Sequence, residues 1–116
     1  MKTLCFIRDI YRCISEFEVK FQQEYGLSLN EGMLLCSLDA GKLTSGKIAE
    51  LLGLTNSNTS KVIRSVEQKK LIRRMTGADD KRQVYFSLTG EGKKRLDGIK
   101  CDTIAIPEKL QAIITI

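Results

Sequence analysis

Three residues, Gly53, Leu54 and Thr55, stand between two helical patterns and leave the chain little freedom in how it joins them. The first pattern opens at Thr44 with Ser45, Gly46 and Lys47, places Ile48, Ala49, Leu51 and Leu52 on one side, and stops at Gly53. Thr44 is suited to accept a bond from the unpaired amides of a first turn, and Gly53 to take the left-handed conformation that ends a helix. Thr55 is a second N-cap. Behind it Thr59, Val62, Ile63 and Val66 recur at three- and four-residue steps and form an inward face. So short a connection sets two helices at a steep angle, which is a helix-turn-helix.

The outward residues of the second helix carry a chemical signal. Asn56, Ser57, Asn58, Ser60 and Lys61 crowd its exposed start with small hydrogen-bonding groups. Asn can pair bidentately with adenine, Ser can bond base edges or phosphate, and Lys supplies charge. Capping alone explains one such residue, because one helix start needs one cap.

Past Lys70 the pattern changes from helical to alternating. Leu71, Ile72 and Met75 surround Arg73 and Arg74, Thr76 to Arg82 reads as a charged turn, and Val84, Phe86 and Leu88 alternate inward from Gln83 on. This is a β-hairpin, and Thr89 caps a further helix beyond it. The expected fold class is therefore mainly α with a small β-hairpin wing (α+β): a winged helix-turn-helix, to which the terminal segments considered below add further helices.

Charge follows the same map. Met1 to Leu27 is neutral overall, Ser28 to Ser60 carries −1, Lys61 to Lys100 carries +7, and the tail from Cys101 carries −1, within a chain of net charge +5. The positive excess lies in the second helix, the hairpin and the helix after it, where phosphates would sit.

The run Leu43-Thr44 and Ile48 to Thr55, then Val66-Glu67, Leu71-Ile72 and Arg74, and finally Asp80-Lys81-Arg82 through Ser87-Leu88-Thr89 and Gly92, resembles the MarR family of multiple-antibiotic-resistance regulators. The likeness spans roughly Leu27 to Leu96. It implies a transcription factor of bacteria or archaea, a winged-helix homodimer and repressor on a palindromic operator in double-stranded DNA, often released by a small phenolic effector or by oxidation. It places Thr55 to Lys61 at the start of a major-groove helix and Arg82 in the neighbouring minor groove, with Asp80 orienting its guanidinium. A narrow minor groove concentrates negative potential, so an Arg there reads groove width; the alternative is a surface ion pair of about 0 to 1 kcal/mol. The candidate DNA-binding set is Thr44, Ser45, Thr55, Asn56, Ser57, Asn58, Ser60, Lys61, Arg64, Arg74, Asp80, Lys81 and Arg82. One departure stands out. Where the family usually has Gly after the recognition helix, this chain has Lys70, which is strained by about 1 kcal/mol or more if that position is left-handed.

The expected organisation is one MarR-like domain over residues 1–116, with dimerisation helices at 1–27 and 99–116 and a DNA-binding lobe at 28–98. Leu4, Ile7, Tyr11, Ile14, Phe17, Phe21 and Tyr25 make a helical stripe longer than a compact winged helix needs. Pro107 suits a first helical turn, with Leu110, Ile113 and Ile114 behind it. Burial against a second copy is the simplest use of both stripes, although they could instead cover their own domain. The stretch after Pro107 has room for under about three turns. Dimer contacts are therefore expected to lean on the first helix, with any effector crevice shallow and no ligand residues assigned.

Other functions find less support in the sequence. Cys5, Cys13, Cys36 and Cys101 form no Cys-x-x-Cys pair, and the chain has no His, which removes the common mixed zinc sites and the usual His-dependent nucleophile systems. No phosphate-binding Gly-rich loop follows a strand, so no enzyme and no cofactor is expected. Leu4-Cys5-Phe6 is similar to the region where hydroperoxide-sensing members of the family carry a reactive thiol, so redox sensing through Cys5 is one alternative. Its test is loss of operator binding on peroxide treatment, abolished in Cys5→Ser. A winged helix used as a protein-interaction module is another, which the polar character of the second helix disfavours. No apolar run is long enough for a signal core or a membrane span, and a cytoplasmic protein is expected.

Overall fold

The computed structural model describes residues 2–77, 82–101, 108, 110 and 111, with the backbone alone at Cys101. In chain order the elements are α1 (Lys2–Tyr25), α2 (Leu29–Ser37), β1 (Leu43–Thr44), α3 (Ser45–Leu52), α4 (Asn56–Gln68), β2 (Ile72–Thr76), β3 (Val84–Leu88) and α5 (Gly90–Cys101). The chain divides into two compact units, one containing α1 and the other running from Asn30 to Cys101.

In the first unit α1 is one long helix. Phe17, Phe21 and Tyr25 stack along it with ring centroids 6.1 and 4.9 Å apart, within the range of favourable tilted pairs. Phe21 is buried, whereas Leu4, Ile7, Tyr11 and Ile14 of the same stripe are exposed, as are Phe6 and Val19 beside it. The expectations for Pro107, Ile113 and Ile114 fall outside the described residues.

In the second unit α3 packs on α4, α4 on β2 and α5 on β3. Its core gathers Leu34 and Leu35 of α2, Leu38 just after it, Ile48 and Ala49 of α3, Ile63 and Val66 of α4, and Leu71, Ile72, Phe86 and Leu96, all buried. Each of the larger apolar side chains contributes about 1.5 to 3 kcal/mol by leaving water. Leu51 corrects the reading of α3: it is 53% exposed. Ile48, Ala49 and Leu52 share one arc of the helix, while Leu51 projects well off that arc at about 100° per residue.

Three strands, not two, form the sheet, in the order β1-β3-β2 and antiparallel throughout. The added strand is Leu43–Thr44, which pairs with Phe86 and Tyr85. Its two residues give no periodicity of their own, so only the tertiary pairing reveals them. The β2–β3 register sets Ile72 opposite Leu88, Arg74 opposite Phe86 and Thr76 opposite Val84, so these six side chains share one face.

Both ends of the α4 segment are closed by the same device. At the turn before it, Gly53 is left-handed (φ +66°), its N–H bonds to the Glu50 carbonyl, and the Leu54 N–H bonds to the Ala49 carbonyl. At the turn after it, Lys70 is left-handed (φ +63°), its N–H bonds to the Glu67 carbonyl, and the Leu71 N–H bonds to the Val66 carbonyl. Each is a Schellman motif. Lys70 therefore does carry the backbone strain its position predicts.

Candidate nucleic-acid interface

The presentation of α4 begins with its caps. Thr55 Oγ1 accepts from the Asn58 N–H at 3.1 Å, as Thr44 Oγ1 accepts from the Lys47 N–H at 3.2 Å at the start of α3. From this start one side of α4 turns inward: Thr59, Ile63 and Val66 are buried and Val62 is half-buried. Thr59 is only 1% exposed, and its hydroxyl is satisfied by donating to the Thr55 carbonyl at 2.8 Å. The opposite side carries Asn56, Ser57, Asn58, Ser60, Lys61 and Arg64, every one exposed. Thr44 is half-buried, and Ser45 and Thr55 are exposed.

A cleft of about 300 Å³ lies between α4 and the sheet and brings together Ser45, Ser60, Arg64 and Arg74, which come from three different elements. Its lining includes Ile63, Val84 and Phe86. Arg74 is held rather than free-swinging: its Nη2 and Nε reach the Glu67 carboxylate at 3.0 and 3.4 Å, and its guanidinium lies over the Phe86 ring at 5.2 Å. Its first role is thus to tie α4 to the sheet.

The hairpin carries Arg82 at an exposed position. Asp80 and Lys81 fall outside the described residues, and so does the expected pairing of Asp80 with Arg82. On the neighbouring strand β3, Tyr85 receives Lys42, whose ammonium stacks 4.7 Å from the ring centroid.

The basic segment is partly neutralised from within. Lys69 pairs with Glu31 at 2.6 Å, Arg74 with Glu67 at 3.0 Å, and Lys93 and Lys100 with Asp39. The Lys100 ammonium holds the Asp39 carboxyl below the usual carboxylate range, and Asp39 in turn raises Lys100. At least four of the twelve basic side chains between Lys61 and Lys100 therefore act as internal braces. Glu31, Ser65 and Asp39 escaped the sequence reading, because their partners lie tens of residues away and follow no local period.

Thr89 and Gly92 also have a structural task. Thr89 Oγ1 accepts from the Gly92 N–H at 3.0 Å and donates to the Lys70 carbonyl at 2.7 Å, while the Thr89 N–H bonds to the Leu71 carbonyl at 3.0 Å. A Cβ at Gly92 would sit 1.9 Å from the Leu71 carbonyl oxygen, so only Gly lets α5 approach this closely.

Cys5 is exposed on α1, and Arg8, one turn away, pairs with Asp9 at 3.3 Å. Among the described residues no cluster of His, Cys, Asp or Glu could hold a metal ion, and no helix is long and apolar enough to cross a membrane.

Two helices at a tight turn, an exposed polar start on the second and a basic hairpin define a winged helix-turn-helix protein. Comparison with known proteins makes this specific. The MarR family model matches residues 27–84, and the chain belongs to the MarR family of transcriptional regulators. It is 30% identical over 102 residues to the uncharacterised helix-turn-helix-type transcriptional regulator YwaE of Bacillus subtilis, covering 84% of this chain and 60% of that one. The chain thus spans about 60% of the length of that curated relative. Among solved structures it is similar to Staphylococcus aureus MepR in complex with DNA (28% identity, TM-score 0.66, 81% of this chain and 78% of that one). The transcriptional regulator BldR of Sulfolobus solfataricus shares the fold (21% identity, TM-score 0.75, 98% and 91% covered).

Proposed function

We propose that this protein is a sequence-specific repressor that binds a palindromic operator in double-stranded DNA as a homodimer, with α4 in the major groove and the β2–β3 hairpin in the minor groove. The observation that carries the reading is the division of α4: Thr59, Ile63 and Val66 anchor one side, while Asn56, Ser57, Asn58, Ser60 and Lys61 are all open to a ligand on the other. Small amides and hydroxyls backed by positive charge match base edges and phosphates, not an apolar protein partner. The similarity to MepR, solved in complex with DNA, supports the same ligand here.

The homodimer is supported by α1. Leu4, Ile7, Tyr11 and Ile14 expose a continuous apolar stripe, which in water favours association with a second copy. Two-fold symmetry then pairs with two half-sites about 34 to 36 Å apart. Light scattering at about tens of micromolar tests this, with a monomeric mass as the contrary result.

A gel-shift titration against the intergenic DNA beside the protein's own gene tests the DNA reading. Binding is expected to weaken steeply between about 50 and 200 mM salt; a salt-insensitive complex, or none, contradicts it. Within a working complex, Arg82→Ala is expected to weaken binding broadly, and Asn58→Ala to change base preference at one position of each half-site.

A further inference from the structure

The helix α4 is anchored in two chemically different ways. Ile63 and Val66 bury apolar surface, an attraction that has no direction and sets how deeply the helix sits more firmly than how it is rolled about its axis. The other kind of anchor is polar: Arg74 ties α4 to the sheet through Glu67, and a more deeply buried carboxylate ties it to α2. Glu31, in the first turn of α2, is only 6% exposed and accepts from Ser65 Oγ at 2.8 Å and from Lys69 Nζ at 2.6 Å. Lys69 Nζ also lies 3.1 Å from Ser65 Oγ, so the three groups close a triangle. Ser65 and Lys69 are one turn apart on the same flank of the helix, and charge-assisted bonds of this length are directional. A carboxylate near the start of α2 is further favoured by that helix's dipole.

Roll matters for reading bases. With side-chain tips about 5 to 6 Å from the helix axis, a roll of about 10° moves each tip by roughly 1 Å. That displacement is larger than the distance tolerance of a good hydrogen bond, yet small for a charge facing a phosphate. A device that fixes roll therefore acts on discrimination between sequences more than on overall attraction.

We propose that Glu31 is a positioning residue for DNA reading: through Ser65 and Lys69 it sets the roll of α4. Lys69 serves this bond instead of a phosphate, although it lies in the basic segment. The proposal rests on the DNA-binding function proposed above.

The test uses the full chain. Wild-type protein first selects its preferred duplex from a random-sequence pool, and failure to select any overturns the DNA reading itself. Dissociation constants for the selected duplex and a scrambled one are then measured across a salt series for wild type, Glu31→Gln, Lys69→Met and Lys69→Arg, each folded by circular dichroism. Lys69 is partly exposed, so its replacement keeps the experiment informative should Glu31→Gln unfold. Glu31→Gln and Lys69→Met are each expected to cut the preference for the selected duplex about 5- to 10-fold, the loss of roughly one base contact. Binding to the scrambled duplex and the salt slope stay as in wild type, and Lys69→Arg recovers most of the preference. If Lys69→Met instead weakens both duplexes equally and reduces the salt slope by about 0.9, Lys69 is a phosphate contact and the proposal fails. An unchanged preference in both variants overturns it equally.

Discussion

The two turns that bracket α4 solve one backbone problem with different residues. Gly53 and Lys70 hold nearly the same left-handed conformation, φ +66° and +63°, and each closes a Schellman motif. Gly takes this conformation without strain, whereas a residue with a Cβ loses about 1 to 2 kcal/mol there. The contrast lies in what surrounds them. The Lys70 turn is gripped from outside by Thr89, whose hydroxyl donates to the Lys70 carbonyl and whose N–H bonds to the Leu71 carbonyl, and by α5, which approaches the Leu71 backbone at Gly92. A turn that its neighbours over-determine can retain a strained residue.

The sharpest way to break this account is to remove the grip. Gly92→Ala is expected to cause the largest loss, about 3 kcal/mol, because a methyl group cannot share space with a backbone carbonyl. Urea unfolding measures it, and a loss below about 1 kcal/mol means that α5 shifts at little cost. Thr89→Val comes next. It deletes both the α5 cap and the bond to Lys70, for a loss of about 1 to 2 kcal/mol by the same measurement.

A reciprocal exchange then compares the turns directly. Gly53→Lys is expected to destabilise by about 1 kcal/mol, while Lys70→Gly stabilises by somewhat less, since Gly also loosens the unfolded chain. Equal signs for the two would sink the comparison. The smallest effect belongs to Asp39, which holds α5 through Lys93 and Lys100. Its folded pKa is lowered, so its contribution to stability is present above its unfolded value of about 3.9 and is lost as pH falls through the lower folded value. Asp39→Asn is therefore expected to flatten the acid limb of a stability profile slightly and to leave a small uniform loss at neutral pH.

Much of the second unit was legible in the chain. Thr44, Thr55 and Thr89 cap the helices that follow them, Gly53 ends α3, and the run from Val84 to Leu88 coincides with β3, although of its three inward-read residues only Phe86 is fully buried and Val84 and Leu88 are half-buried. These features depend on bonds within four residues or on a simple period, which sequence displays directly. Leu51 misled because hydrophobicity does not state direction, and at this helix phase it points outward. The strand β1 was missed because two residues carry no period and gain their pairing only from Tyr85 and Phe86.

The candidate interface divides along the same line. Exposure of Asn56, Ser57, Asn58, Ser60 and Lys61 could be inferred from the inward face of α4, since a helix that buries one side offers the other to solvent. The pairing of Arg74 with Glu67 could not, because it spans the turn from α4 to β2 and follows neither element's period, and the triangle of Glu31, Ser65 and Lys69 could not, because Glu31 lies more than thirty residues away and is brought in by packing.

By itself the sequence determined where helices start and stop, which side of α4 faces inward and where positive charge accumulates, because each follows from local bonding or composition. Only the tertiary structure decided which of those charges are spent inside the molecule and how a left-handed Lys70 is tolerated. Both depend on groups distant in the chain that meet only after the core has formed, and no local period encodes such a meeting.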